Sequence, residues 1–297
     1  MRLTKSSAPG LACAAALALL GCGGGGGGGG GNDNKPPTAA AKLTGEAVAN
    51  ATTRFDTSGT ADSDGQIVQR TWAYGDGQSG TDDSHVYTAP GNYSAAYTVT
   101  DNAGAAATAS VTVSVAKCSA AGTRQAVLSP YPTVCAQTTL GEIVLEVYPT
   151  EAPQTAANFL KYVGDGFYSG TLIHRVVRDF VIQGGGFTAG MIAKAPTYAP
   201  IPLENQNRLR NWQYTLAMAR ATDPNSATSQ FYINLQDNFS LDRNASNPSP
   251  NGYAVFGQAI SGTATVDAIG RVATGVKAGF SDVPTQDVVI RGMLKLP

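Results

Sequence analysis

Phe167-Tyr168-Ser169-Gly170-Thr171-Leu172-Ile173-His174-Arg175-Val176-Val177-Arg178-Asp179-Phe180-Val181-Ile182-Gln183-Gly184-Gly185-Gly186-Phe187 is the stretch that decides the fold. Residues 180–182 read as a strand running into a glycine triplet. The triplet invites a phosphate-loop reading, but no Gly-Lys-Ser/Thr follows, so nucleotide binding has weak support. Taken singly, Phe180 and Val181 are ordinary core residues and Arg175 is an exposed or ion-paired arginine. Upstream, in residues 139–148, Ile143, Leu145 and Val147 alternate with Glu142, Val144 and Glu146, which predicts a strand with one mostly polar face. A helix should follow: Pro153 suits its first turn, Ala156, Phe159, Leu160 and Val163 form the apolar stripe, and Gly164 and Gly166 stop it. Downstream, residues 214–219, 230–235, 253–256 and 288–290 read as further strands between polar loops. One helix among many strands predicts a closed barrel.

The 297 residues leave room for about two domains. Charged residues make up 14% and hydrophobic ones 42%, against a charged average of roughly 25% in soluble proteins, so the chain is globular and weakly charged. Twenty basic and 21 acidic residues give a net charge of -1, and no Lys/Arg run neutralises a phosphate backbone, so nucleic acid is not an expected partner. The two histidines, His85 and His174, lie far apart in sequence and leave little for a His-rich metal site or a Ser-His-Asp triad. His174 is expected to be structural, and no metal or cofactor is expected.

The N-terminus reads as an address. Arg2 and Lys5 precede an apolar run over residues 11–20, too short for a bilayer core that takes about 20 residues. Leu19-Leu20-Gly21-Cys22 resembles the bacterial lipobox, in which the cysteine is diacylated and becomes the first residue; the alternative is an ordinary signal peptide with an incidental cysteine. Nine consecutive glycines, residues 23–31, then supply a flexible tether. The expectation is a lipoprotein signal over 1–21, a Gly-rich tether over 22–35, a lipid anchor at Cys22, and a protein held in the cell envelope on its periplasmic side or at the surface. In that oxidising setting Cys118 and Cys135 are expected to form a disulfide, contributing about 3 kcal/mol by constraining the unfolded chain. A redox or metal pair is the alternative, without C-x-x-C spacing or a nearby histidine.

Residues 36–116 carry short alternating runs at 95–100 and 109–115, broken by Asp64-Gly65, Gly75-Asp76-Gly77, Ala89-Pro90-Gly91 and Asp101-Asn102-Ala103-Gly104. This rhythm predicts an antiparallel β-sandwich. Trp72-Ala73-Tyr74-Gly75-Asp76-Gly77, with Phe55-Asp56-Thr57-Ser58-Gly59 and Asp62-Ser63-Asp64-Gly65 before it and Tyr97-Thr98-Val99-Thr100-Asp101 after it, resembles a PKD domain of Ig-like fold. The resemblance implies a spacer or interaction module that engages an envelope partner. Trp72 is expected in its core, and Asp62 and Asp64 read as turn formers rather than Ca²⁺ ligands.

Beyond a connector over 117–137, residues 138–297 resemble the cyclophilins. The opening stretch carries that resemblance, together with Leu216-Ala217-Met218-Ala219-Arg220, Ser229-Gln230-Phe231-Tyr232-Ile233-Asn234 and Gly252-Tyr253-Ala254-Val255-Phe256-Gly257 in the same order. It implies a mostly β fold, a closed eight-stranded antiparallel barrel with two capping helices, and peptidyl-prolyl cis-trans isomerase activity on proline-containing polypeptides. It further implies Arg175, Phe180 and Gln183 as catalytic residues. Val181, Ala219, Arg220, Gln230, Tyr232, Leu241 and Tyr253 would bind substrate. The chain departs from the best-known members at Val181, Ser240, Tyr253 and Arg220, and Phe239 is the neighbour that could fill the wall left open by Ser240. A different class of function, a proline-segment binding or adhesion module without turnover, is the alternative.

Overall fold

The computed structural model describes residues 34–244, 246 and 251–297. The expected signal sequence and lipid anchor at Cys22, with the glycine run, lie outside the described residues. The N-terminal part is a two-sheet sandwich. β1 (Lys42–Thr44), β3 (Thr52–Asp56) and β6 (Ser84–Val86) form one sheet; β2 (Ala47–Val48), β4 (Ile67–Ala73), β5 (Ser79–Gly80), β7 (Gly91–Asp101) and β8 (Ala106–Ala116) form the other. The long hairpin β7–β8 buries Ala95, Tyr97, Val99, Val111, Val113 and Val115, every second residue, as period-two alternation requires. Trp72 is buried against Phe55 at 4.4 Å and Tyr97 at 4.8 Å, and its indole N–H donates to Asp83 at 2.9 Å. The sandwich is not wholly antiparallel: Ala47–Val48 runs parallel to the end of β8.

The connector is not irregular. Ser119 caps α1 (Ala120–Leu128) through its hydroxyl, which accepts from the Gly122 amide at 3.0 Å, and Cys118 is disulfide-bonded to Cys135. The expected connector over 117–137 therefore needs correction at its end, since β9 (Thr133–Thr138) already belongs to the barrel, between β19 and β10. All six of its residues are buried, one face by the barrel interior and the other by the disulfide cluster under α1. The same cover corrects the expected polar face of β10 (Gly141–Val147). Val144 and Glu146 are buried there, and Glu146 accepts from Ser129, Tyr148 and Gln258 at 2.8 to 2.9 Å.

Eight strands close the barrel in the order β11 (Thr171–Val177), β19 (Val288–Lys295), β9, β10, β16 (Val255–Ser261), β14 (Thr215–Met218), β15 (Phe231–Asn234) and β12 (Val181–Thr188), with β12 pairing back to β11. The two-residue β13 (Ile192–Ala193) extends β12, and β17 (Thr274–Lys277) with β18 (Phe280–Pro284) makes a separate hairpin beside β11. Besides α1, the helices α2 (Pro153–Gly164) and α3 (Thr263–Gly270) pack on the barrel. α2 buries Ala156, Phe159 and Val163 as the stripe predicts. α3 starts at Gly262 in the left-handed region (φ 76°) without a side-chain cap, so nothing local announces it.

Candidate active site

Alternate residues of the barrel strands serve two different clusters. Ile182, Ile233, Leu216 and Phe256 face the interior, whereas Val181, Tyr232, Ala217 and Val255 form a small apolar cluster on the outer wall. Register sets a row across that wall: Arg175 lies opposite Gln183, Gln183 opposite Tyr232, Tyr232 opposite Ala217, and Ala217 opposite Val255. Arg175 reaches this row only through a bulge. Ile173 pairs with Gly184 and Arg175 with Gln183, so β11 carries one extra residue, and Arg175 falls out of phase with Ile173, which is interior.

Arg175, Phe180, Val181, Gln183, Ala219, Arg220, Tyr232, Leu241 and Tyr253 together line one pocket of about 100 Å³. Of the substrate-binding residues expected from the sequence, Gln230 is the exception. It lies behind the pocket and accepts from the Gln183 amide at 3.0 Å, fixing that side chain. The glycine triplet explains how Gln230 comes so close, because a Cβ on Gly186 would lie 2.4 Å from the Gln230 carboxamide carbon. The Ala219 amide donates to the Gln230 carbonyl at 3.0 Å, so that N–H is already committed. Arg220 is held by the Gly252 and Ala221 carbonyls at 3.0 and 2.9 Å and lies 4.8 Å from the Tyr253 ring, so it walls the pocket instead of reaching into it. Phe239 does not fill the wall beside Ser240. It is 40% exposed and stacks edge-on with Trp212 at 4.7 Å.

Several residues of the site have no signal in the local sequence. Asp282, on the hairpin of β17 and β18, lies 3.6 Å from Nε of Arg175. That leaves the terminal guanidinium nitrogens without a hydrogen bond among the described residues. Tyr232 donates to Asn211 at 2.7 Å, and Asn211 donates to Asp242 at 3.0 Å, which also accepts from Arg210 at 2.9 Å. Burial pushes the Tyr232 phenol well above its usual range, so it stays a neutral donor. His174 is buried against Phe187 at 4.7 Å; burial, with the Arg175 charge beside it, pushes its pKa down to about 4. A neutral ring there adds no second cation to the site. His85 belongs to the sandwich, 2.7 Å from Asp76.

Asp62 and Asp64 serve their loop: Asp62 accepts from the Asp64 amide at 3.3 Å and Asp64 from the Lys35 amide at 2.9 Å. Cys118, Cys135 and Glu142 lie close together, but the sulfurs are bonded to each other and Glu142 accepts from Ser119 and Gln137. A larger cavity of about 850 Å³ opens between the sandwich and α1, and among the expected site residues only Cys118 lines it.

Residues 133–294 match the family described as cyclophilin type peptidyl-prolyl cis-trans isomerase/CLD, and residues 34–115 match the PKD domain. The chain is 54% identical over 158 residues to peptidyl-prolyl cis-trans isomerase cyp18 of Streptomyces antibioticus, covering 53% of this chain and 95% of that one. It is 46% identical over 153 residues to peptidyl-prolyl cis-trans isomerase B of Escherichia coli, covering 52% and 93%. With a peptidyl-prolyl cis-trans isomerase of Acinetobacter baylyi the identity is 50% over 154 residues, covering 52% and 80%.

Proposed function

The chain belongs to the cyclophilin-type peptidyl-prolyl cis-trans isomerase family, behind a PKD domain, and we propose that it turns X-Pro bonds in exported polypeptides by setting the Arg175 guanidinium beside an apolar proline pocket. The peptide bond resists rotation by about 18 to 20 kcal/mol because the nitrogen lone pair is delocalised into the carbonyl. X-Pro bonds populate both isomers yet exchange over tens to hundreds of seconds, so the catalyst has only to favour the twisted state. Phe180, Val181, Tyr232 and Leu241 hold the proline ring by apolar contact. As the bond twists, the lone pair localises on the proline nitrogen, and a cation presented to that nitrogen favours the twisted state over either planar one. Arginine suits this role because its planar guanidinium stays charged across the working pH range. Gln183, fixed by Gln230, and the Ala219 carbonyl hold the flanking peptide groups. No proton moves and no covalent bond forms.

The observation that carries this reading is that one cavity is lined both by Arg175 and by Phe180, Val181 and Leu241. Exchange spectroscopy on an X-Pro peptide, comparing the protein with Arg175→Ala, tests it: equal rates in the two proteins leave a proline-binding module and no Arg-assisted catalysis. The place of action rests on the sequence alone. The lipobox-like Leu19-Leu20-Gly21-Cys22 and the glycine run support a lipid-anchored envelope folding catalyst, with the PKD domain as spacer or partner-binding module. Palmitate labelling lost in Cys22→Ala is the expected result, and labelling retained in that variant removes the anchor.

A further inference from the structure

A second cavity, about 350 Å³, shares a wall with the proline pocket. The 3-10 turn Phe239–Leu241 and the two residues after it divide the pair: Leu241 lines the proline pocket, while Phe239, Asp242 and Arg243 line the second cavity. Leu209 belongs to both neighbourhoods, since it lines the second cavity and packs against the Val181, Tyr232 and Val255 cluster. At roughly 3.3 Å per extended residue, a polypeptide with its proline seated needs only a few more residues to cross that wall.

The second cavity is strongly basic. Arg208, Arg210 and Arg243 line it against a single carboxylate, Asp242. That carboxylate is committed, accepting from Arg210 at 2.9 Å and from the Asn211 amide at 2.8 Å. Glu204 is turned away, accepting from the backbone amides of Gln154 and Thr155 at 3.1 and 2.7 Å. Arg208 and Arg243 have no hydrogen-bond or ion-pair partner among the described residues. Arg210 is also fixed in place, with its guanidinium 3.9 Å from the Phe239 ring. Arg208 has a left-handed backbone, φ 63°, an uncommon conformation for a residue with a side chain. They come from two separate segments, residues 205–210 and 239–243, which the fold gathers on one flank of the site.

We propose that this cavity is a subsite for a carboxylate side chain of the substrate, an Asp or Glu a few residues from the isomerised proline, gripped by Arg208 and Arg243. Guanidinium groups match a carboxylate in plane and in charge, and a concave setting lets two of them converge on one anion. The inference rests on the isomerase reading and adds a sequence preference to it: clients with acidic residues flanking proline are turned over in preference to basic ones.

The test is a set of X-Pro peptides carrying Ala, Glu or Lys in turn at each of the positions flanking the proline, with kcat/KM measured at low and at high salt. Two partly exposed charge contacts predict a Glu-to-Lys ratio of about fivefold at one or two positions, entering through KM and collapsing at high salt. In the double variant Arg208→Glu, Arg243→Glu the same ratio should invert. Because both constants are measured on the same protein, a general loss of activity cancels. A ratio of one at every position, or a preference that survives the double variant, overturns the subsite while leaving the isomerase reading intact. Absence of turnover with the all-Ala peptide overturns the isomerase reading, and the subsite with it.

Discussion

The two faces of the barrel wall are built from the same strands and do different things. The inner residues, Ile182, Ile233, Leu216 and Phe256, are apolar and bury themselves against one another and α2. The outer ones one position away, Arg175, Gln183, Tyr232 and Ala217, form a row that ends in a small greasy pocket. On the proposed mechanism, strand alternation separates stability from chemistry residue by residue, and the bulge at β11 moves one arginine to the outer side.

The comparison can be broken in four ways. Phe231→Ala, on the inner face, should cost about 4 kcal/mol of stability in denaturant melts, with kcat/KM per folded molecule nearly unchanged. A loss of activity without a loss of stability would breach the division. Arg175→Ala should do the reverse, lowering kcat/KM roughly a hundredfold while moving the melting temperature little, since its ion pair with Asp282 is about 40% exposed on both sides.

His174 sits between the faces and sharpens the contrast through pH. Its pKa is depressed from 6.5 to about 4 in the folded protein, so the folded state prefers the neutral ring. The stability this contributes is complete above pH 6.5 and drains away as pH falls toward 4, amounting to about 2 kcal/mol by pH 5. A His174→Gln variant should show a flatter stability profile over that window, and an unchanged slope would refute the assignment. The smallest effect is expected from Asp282→Asn. A partly exposed pair contributes about 0 to 1 kcal/mol, so kcat should fall about threefold through looser orientation of Arg175, with KM unchanged and Asp282→Glu restoring part of the loss.

The regular parts of this architecture were legible because local pattern and burial agree. The β7–β8 hairpin alternates, the α2 stripe is where the periodicity puts it, and the ordered motifs around Arg175, Gln230 and Tyr253 carry the barrel. The failures share one cause: a second layer that the strand itself does not encode. β9 reads as connector because Thr133-Val134-Cys135-Ala136-Gln137-Thr138 is buried on both faces and shows no alternation, and β10 loses its expected polar face under α1. α1 buries only Gly122 and Ala126, so it has no stripe to find. At the site, the pocket-lining residues were readable, whereas Asp282, Asn211 and Asp242 were not. Each reaches its partner through chain closure over distances that no window along the sequence covers.

Where the sandwich gives way to the barrel, the covalent bond between Cys118 and Cys135 spans a sequence separation of 17 residues while holding the two Cα atoms 5.9 Å apart. Unlinked, that segment could pay out to about 60 Å. Mechanical load applied between the N-terminal end and the barrel therefore passes through sulfur, and α1 bears none of it. A pulled molecule keeps its catalytic half on a short leash until the disulfide is reduced to thiols.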